Sequence, residues 1–94
     1  MINAQEAYRI GLVNEVVPAG ELIGRCEAIL KQMLANAPLA VRFALEAVNK
    51  GMETSLSAGL LLEASLFAIC AGTDDKREGT AAFMEKRAPR FQGR

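Results

Sequence analysis

Between Thr54 and Gly72 the chain reads TSLSAGLLLEASLFAICAG, a segment whose composition sets strict limits on the rest of the fold. The Ser and Thr residues at its start are good helix caps, and Glu63 is its only charged residue. The segment therefore predicts a helix that is apolar nearly all round, and such a helix is covered on most sides. That cover would come from a contact between subunits or from a core larger than one that 94 residues can form.

The composition of the whole chain indicates the same need for a partner. Hydrophobic residues make up 51% of the 94 residues, although few of them are aromatic. A domain of this size buries only part of its apolar surface when it folds alone. We therefore expect another domain, another subunit or a further part of the same chain to cover this surface.

The first eighteen residues predict a short helix and then one extended segment. Asn3, with Glu6 three residues later, matches a capping box for a helix over 4–10, and Gly11 is a natural stop. Residues 12–18, LVNEVVP, are rich in β-branched side chains and predict a short strand or an extended segment. The chain offers this segment no sheet to join.

The remainder predicts four helices with short connections, so the fold class is mainly α. An amphipathic pattern covers Glu21 to about Asn36, and Pro38 suits the first turn of a helix to Asn49 that Gly51 ends. The apolar helix follows. Thr73 then caps a last helix with Asp74 and Asp75 in its first turn, which continues through Phe83 and fades near Arg87, before Pro89.

Residue types exclude several classes of site. The chain has no histidine, no CxxC pair and no cluster with metal-ligand spacing, so we expect no metal. Cys26 and Cys70 lie among aliphatic residues and are expected to be buried, reduced thiols. Glu63 is expected to lie at a rim or in a buried salt bridge rather than to act as a catalyst. With neither a signal-peptide pattern nor a membrane-span pattern, the sequence predicts a cytoplasmic protein.

Charge is distributed unevenly along the chain. Residues 76–94 carry six Lys or Arg against two acids, whereas residues 1–75 carry five bases against nine acids. A basic segment of this kind suits an anion, most commonly a phosphate. Six bases on one short segment without a known motif do not amount to a nucleic-acid footprint, so nucleic acid is not expected as a partner.

Three collinear segments resemble the carboxyl-terminal part of the enoyl-CoA hydratase/isomerase (crotonase) family. They are A-x-E-A-x-x-x-G-L-V-N-x-V-V-P from Ala4 to Pro18, N-A-P-L-A-V from Asn36 to Val41, and T-D-D-K-R-E-G-T-A-A-F-M-E-K-R-A-P-R-F-Q-G from Thr73 to Gly93. The resemblance covers the whole chain and is weakest over 19–35. It implies that residues 1–94 form the helical trimerisation region of such an enzyme, without the catalytic spiral of ββα repeats that precedes it in the family.

The resemblance also implies an activity for the parent enzyme, namely addition of water to a 2-enoyl-CoA. In hydratases of the family, two glutamates and an oxyanion hole of two backbone N–H groups perform this reaction, and all of them precede this region. No glutamate of this chain matches a catalytic one. We therefore assign no catalytic residue, expect the 94 residues alone to be inactive, and expect no cofactor other than the CoA thioester that serves as substrate.

Three side chains match family positions near the substrate. By that resemblance Phe83 would contact the adenine of CoA, Lys86 its phosphate, and Phe67 would lie near the acyl chain. The ordinary alternatives are a core residue for Phe67, a helix-face anchor for Phe83 and a surface charge for Lys86. Arg87 is expected to pair with an acid, and Phe91 to fill an apolar spot within an extended finish.

A second interpretation remains open beside the acyl-CoA enzyme. The chain could be a stand-alone helical oligomerisation module without enzymatic activity, which also explains the apolar excess. Both interpretations predict self-association or exposed apolar surface. The parent enzyme is expected to be a homo-oligomer, a trimer or a dimer of trimers.

Overall fold

A computed structural model describes all residues, Met1 to Arg94, and confirms a mainly α fold without a β-strand. A one-turn 3-10 helix, Ala19–Glu21, precedes the second of five α-helices. The helices are α1 (Ala4–Arg9), α2 (Leu22–Leu34), α3 (Pro38–Gly51), α4 (Leu56–Ala71) and α5 (Asp74–Met84). The chain divides into two compact units, Met1–Gln32 and Met33–Arg94.

In the first unit, α1 begins and ends largely as its sequence predicts. The Asn3 side chain accepts a hydrogen bond from the Glu6 backbone N–H at 2.8 Å. The Glu6 carboxylate bonds to Arg9 at 2.6 Å and not to Asn3, so only half of the capping box forms. Gly11 adopts a φ of 76°, the left-handed conformation that ends many helices.

The strand alternative for residues 12–18 is wrong. The backbone N–H groups of Leu12 and Val13 donate to the carbonyl oxygen of Ala7 at 2.9 and 3.4 Å, which turns the chain back on α1. Residues 15–18 have no helix, turn or strand assignment, and the Glu15 carboxylate accepts hydrogen bonds from Arg25 on α2. A β-branched run without a partner strand cannot form a sheet, so the backbone groups bond locally.

In the second unit, α3 and α4 form a helical hairpin. Pro38 occupies the first turn of α3, as predicted, and the helix continues to Gly51, two residues beyond the predicted Asn49. The Ser55 side chain caps α4 by accepting a hydrogen bond from the Ala58 N–H at 3.3 Å. The helices approach closely near the connection, where a Cβ at Gly59 would lie 3.5 Å from the Cα of Gly51.

Most of the apolar surface of α4 is exposed. Only Leu66 is buried, whereas Leu61 and Phe67 retain 71% and 75% of their accessible surface. The chain exposes 7781 Å² in all. A compact monomer of its mass exposes about 5,300 Å². The cover that α4 requires is therefore not provided by these 94 residues.

Burial was predicted for both cysteines, and that prediction is wrong. Cys26 is exposed on α2, which has no buried residue, and Cys70 is only partly buried. Both thiols are free. The physical reason is the same as for α4, since α2 buries none of its residues within the chain.

No single helix has the length and apolar character needed to cross a bilayer. Helices α4 and α5 reach that threshold only when taken together, and they are bent by 74° at the break between them.

Candidate functional site

Helix α5 begins at a well-formed cap. The Thr73 hydroxyl accepts a hydrogen bond from the Lys76 N–H at 3.1 Å and donates one to the carbonyl oxygen of Cys70 at 2.7 Å. Both predicted acids, Asp74 and Asp75, lie in the first turn. The helix ends at Met84, between Phe83 and Arg87, where the sequence predicts that it fades, so the cap and the extent of α5 agree with the sequence.

The chain reverses direction after α5 through a lysine in an unusual conformation. Lys86 has a φ of 54°, and it is the only residue other than glycine with a positive φ. The backbone N–H of Arg87 bonds to the carbonyl oxygen of Ala82 at 3.0 Å, which closes the end of the helix. For a residue with a Cβ this conformation costs roughly 1–2 kcal/mol, which the helix-end bonds and further contacts offset.

Those contacts come from residues 87–94, which we call the strap. Glu78 on α5 accepts two hydrogen bonds from the Arg87 guanidinium, at 2.6 and 3.0 Å, and one from the Arg90 backbone N–H at 2.7 Å. The prediction that Arg87 pairs with an acid is therefore confirmed. A bidentate guanidinium–carboxylate pair fixes geometry more strictly than a single bond.

A second carboxylate holds the far end of the strap. The two oxygens of Asp75 accept hydrogen bonds from the backbone N–H groups of Gln92 and Gly93, at 2.6 and 2.7 Å. The Asp75 N–H in turn donates to the carbonyl oxygen of Arg94 at 2.9 Å. Asp75 is only 2% exposed, so this carboxylate is an internal bracket for the strap backbone.

An aromatic contact completes the docking of the strap. A Cβ at Gly79 would lie 3.4 Å from Cε1 of Phe91, an ordinary van der Waals distance, so the ring lies directly beside this turn of the helix. Phe91 is half-buried there, in agreement with the expectation that it fills an apolar spot. Asp75, Glu78 and Gly79 thus form one continuous face of α5 beneath the strap.

Fewer of the six basic side chains in residues 76–94 are available to bind an anion than their number suggests. Arg87 lowers the pKa of Glu78 to about 2, assisted by the bond from the Arg90 N–H, while the two acids beside Arg87 raise its own pKa. Arg77 and Arg94 both pair with Asp74. Three of the six basic side chains, Arg77, Arg87 and Arg94, therefore form salt bridges with acids, whereas Lys76, Lys86 and Arg90 form none.

The predicted site residues lie at two places in the second unit. Phe83 and Lys86 are both exposed near the end of α5, and Phe83, at 83%, lines a groove with Phe91 and the first turn of α3. Phe67 lies instead in a separate apolar groove of about 610 Å³ between α3 and α4. The alternative of Phe67 as a core residue does not hold within this chain, because its side chain is 75% exposed.

Glu63 lines the same α3/α4 groove as Phe67. It is exposed and takes part in none of the salt bridges, so of the two predicted alternatives the structure agrees with the rim position and not with a buried salt bridge. No group of three or more His, Cys, Asp or Glu side chains has a metal-binding arrangement.

The roles of Asp75 and Glu78 were missed at the level of sequence. Acids in the first turn of a helix are ordinarily explained by the helix dipole. That explanation predicts no contact between these acids and residues 87–94. The available signal was the spacing of Asp75, Glu78 and Gly79 on one helix face, followed by an extended tail with Pro89 and Phe91.

Comparison with known proteins gives a consistent family assignment. The family model described as enoyl-CoA hydratase/isomerase matches residues 1–94. Among curated relatives, the crotonyl-CoA hydratase of Syntrophomonas wolfei is 44% identical over 91 residues, covering 97% of this chain and 35% of its own length. A probable enoyl-CoA hydratase of Mycobacterium bovis is 47% identical over 93 residues, covering 99% and 36%. The chain thus spans about a third of the length of these relatives.

Solved structures agree in fold. An enoyl-CoA hydratase from Bacillus anthracis superposes with a TM-score of 0.94 at 40% identity, over 99% of this chain and 36% of that one. An enoyl-CoA hydratase/isomerase from Mycobacterium paratuberculosis gives 0.93 at 38% identity, over 99% and 37%. The five helices therefore form a helical portion of the crotonase fold. Because the family model matches every residue, this chain belongs to the enoyl-CoA hydratase/isomerase family.

Proposed function

We propose that this chain is the carboxyl-terminal helical region of an enoyl-CoA hydratase, in which it serves subunit assembly and forms part of the acyl-CoA site. The observation that carries the proposal is the family match over all 94 residues. The parent reaction would be addition of water to a 2-enoyl-CoA. The glutamates and the oxyanion hole that this reaction requires would come from outside the 94 residues, which we expect to be inactive alone.

The role in assembly is supported by the exposed apolar surface. Leu60, Leu61 and Phe67 on α4 are each more than half exposed, and each would contribute roughly 1.5–3 kcal/mol if fully buried. The exposed area exceeds that of a compact monomer by about 2,500 Å², which is larger than one partner's share of a standard interface. A homo-oligomer, a trimer or a dimer of trimers, would place this surface in contacts between subunits or with the rest of the parent chain.

The role in CoA binding is supported by the chemistry at the end of α5. Phe83 offers an exposed ring that suits a purine, and Lys86, three residues later, offers an ammonium without an acidic partner. Phe67, in the apolar α3/α4 groove, suits the acyl chain. These three assignments require no metal and no cofactor besides the CoA thioester.

Binding of CoA and of 3′-dephospho-CoA, measured by isothermal titration calorimetry, tests the CoA assignment. We expect about tenfold weaker binding of the dephosphorylated form, the loss of one charge-assisted contact. Lys86→Met should remove the difference, and Phe83→Ala should weaken both ligands. Equal affinities in the unmodified chain would overturn the phosphate contact.

The exposed apolar surface also favours a second candidate, a stand-alone oligomerisation module. That module would self-associate, as judged by sedimentation equilibrium, yet would bind neither form of CoA. A monomeric chain that binds CoA would exclude it.

A further inference from the structure

Lys86 lies between the end of α5 and the strap. On one side Lys86 follows Glu85, the cap residue of α5, and on the other it precedes Arg87, the first residue of the strap. Lys86 is also the single residue besides glycine in the left-handed conformation. A lysine does not hold this conformation by its own preference, so the residues around it must.

Glu78 holds the strap at two residues, Arg87 and Arg90. Its carboxylate grips the Arg87 guanidinium directly, at 2.6 and 3.0 Å, and it accepts the Arg90 backbone N–H at 2.7 Å. Three bonds to one carboxylate thus fix the chain immediately after Lys86. Without them, only the two helix-end bonds would hold the turn, from the Lys86 N–H to the Phe83 carbonyl oxygen at 3.3 Å and from the Arg87 N–H to the Ala82 carbonyl oxygen at 3.0 Å.

The same bonds also determine which cation is available. Arg87 is occupied by Glu78 and Glu85, whereas Lys86 forms no salt bridge. An ammonium is a compact point charge, and its position depends on the backbone that carries it. A fixed backbone at residue 86 therefore limits where the unpaired Lys86 ammonium can lie, while the neighbouring Arg87 guanidinium is held by two acids.

From this geometry we infer that Glu78 is a positioning residue for the anion site at Lys86, acting through Arg87 and the strap backbone. The inference rests on the proposed CoA function and names the device that orients its phosphate contact. Glu78 does not touch the ligand in this scheme. Its negative charge, taken alone, would oppose an anion, so a favourable effect of Glu78 can arise only from geometry.

Loss of the Glu78 charge should strengthen anion binding, whereas loss of the fixed backbone geometry should weaken it. The direction of the change in affinity therefore distinguishes the two effects. The experiment compares Glu78→Gln with a control, Glu85→Gln. The control also removes one carboxylate that pairs with Arg87, but it leaves the hydrogen bond from the Arg90 N–H to Glu78 intact. The affinities for CoA and 3′-dephospho-CoA are measured for each variant by calorimetry. In the unmodified chain the ratio of the two dissociation constants should be about tenfold. It should stay at tenfold or above in Glu85→Gln and fall below about threefold in Glu78→Gln.

Amide hydrogen exchange of Arg90 provides the second measurement and requires no ligand. Glu78→Gln should accelerate exchange at this amide by about tenfold or more, because a charge-assisted acceptor is lost. Exchange at Gln92 and Gly93, which bond to Asp75, should change less. Unaltered exchange at Arg90 would overturn the positioning role whatever the affinities are.

The two proposals fail in different ways. If Lys86→Met removes discrimination but Glu78→Gln preserves or increases it, the positioning role is overturned and the CoA site stands. If the unmodified chain does not discriminate between the two ligands, the phosphate contact fails and the positioning role fails with it.

Discussion

Helices α4 and α5 are neighbours along the chain, yet they differ in how much of each is covered by the rest of the chain. Helix α4 is almost entirely apolar, and Leu66 is its one buried residue. Helix α5 is largely polar, but Asp75 and Ala82 are buried and the strap is bonded along its length. Hydrophobicity therefore does not indicate which of the two helices is covered within the chain. The polar helix α5 is covered by the strap, whereas the apolar helix α4 keeps most of its surface exposed.

The largest expected effect concerns the buried bracket of α5. Asp75→Ala should lower the free energy of unfolding by about 3 kcal/mol, because two backbone donors lose a charged acceptor. Asp74→Ala removes the adjacent, exposed carboxylate and should cost less than about 1 kcal/mol. Urea unfolding of both variants measures the difference. Equal losses would mean that the bracket contributes no more than a surface charge.

Next in size is the one buried contact of α4. Leu66→Ala should cost about 2 kcal/mol, near the lower limit for such changes, since neighbours on an open surface can relax into the space. Leu61→Ala on the exposed side should change the free energy of unfolding by less than about 0.5 kcal/mol in the monomer. A comparable cost at Leu61 under dilute conditions would show that α4 is already covered.

The reversal after α5 offers a smaller and more specific effect. Lys86→Gly should leave the chain about 1 kcal/mol more stable than Lys86→Ala, because only glycine adopts a positive φ without steric cost. The same pair of substitutions at Lys50, within α3, should show the opposite order. Thermal or urea unfolding of the four variants makes the comparison. Alanine more stable than glycine at both positions would contradict the left-handed conformation.

Acid should loosen the strap before it affects α4. The pKa of Glu78 is lowered by Arg87 and the Arg90 N–H to about 2, from a usual value of 4.5. Its contribution is therefore present above pH 4.5 and is lost as the pH falls from 4.5 toward 2. Exchange rates of the strap amides should rise across this window in the unmodified chain, and less so in Glu78→Gln. An identical pH dependence in the two proteins would exclude Glu78 as the titrating group.

The smallest effect on stability accompanies a large effect on association. Leu61→Gln should alter the unfolding free energy of the monomer by less than about 0.5 kcal/mol, as expected for an exposed position. It should weaken self-association by at least about tenfold, because a polar group would be buried in the contact. Sedimentation equilibrium at several concentrations provides the measurement. Unchanged association would place the contact on another surface.

The sequence predicts those features that depend on local chemistry. Gly11 and Thr73 end and begin helices where expected, and Pro38 starts α3. The strand alternative for residues 12–18 failed because β-branched residues indicate a sheet only when a partner exists. The burial of Asp75 depends on residues 92–94, seventeen or more positions away, and helix-dipole arguments about nearby residues cannot detect it.

At the candidate site, the sequence predicts the residue types but not their state. Resemblance selected Phe83, Lys86 and Phe67, and the structure leaves all three exposed. The resemblance could not show that the backbone of Lys86 is in the left-handed conformation, since lysine rarely adopts it. Nor could charge counting show that Arg87 and Arg94 are already paired with acids.

The bonds between α5 and the strap have a consequence for the order in which the chain folds during synthesis. An isolated helix of 11 residues with a glycine at its centre is not stable in water. Its main supports, the N–H groups of residues 90, 92 and 93, are translated after the helix itself. Helix α5 can therefore become stable only once residue 93 has left the ribosomal tunnel, while the α3/α4 hairpin can form earlier.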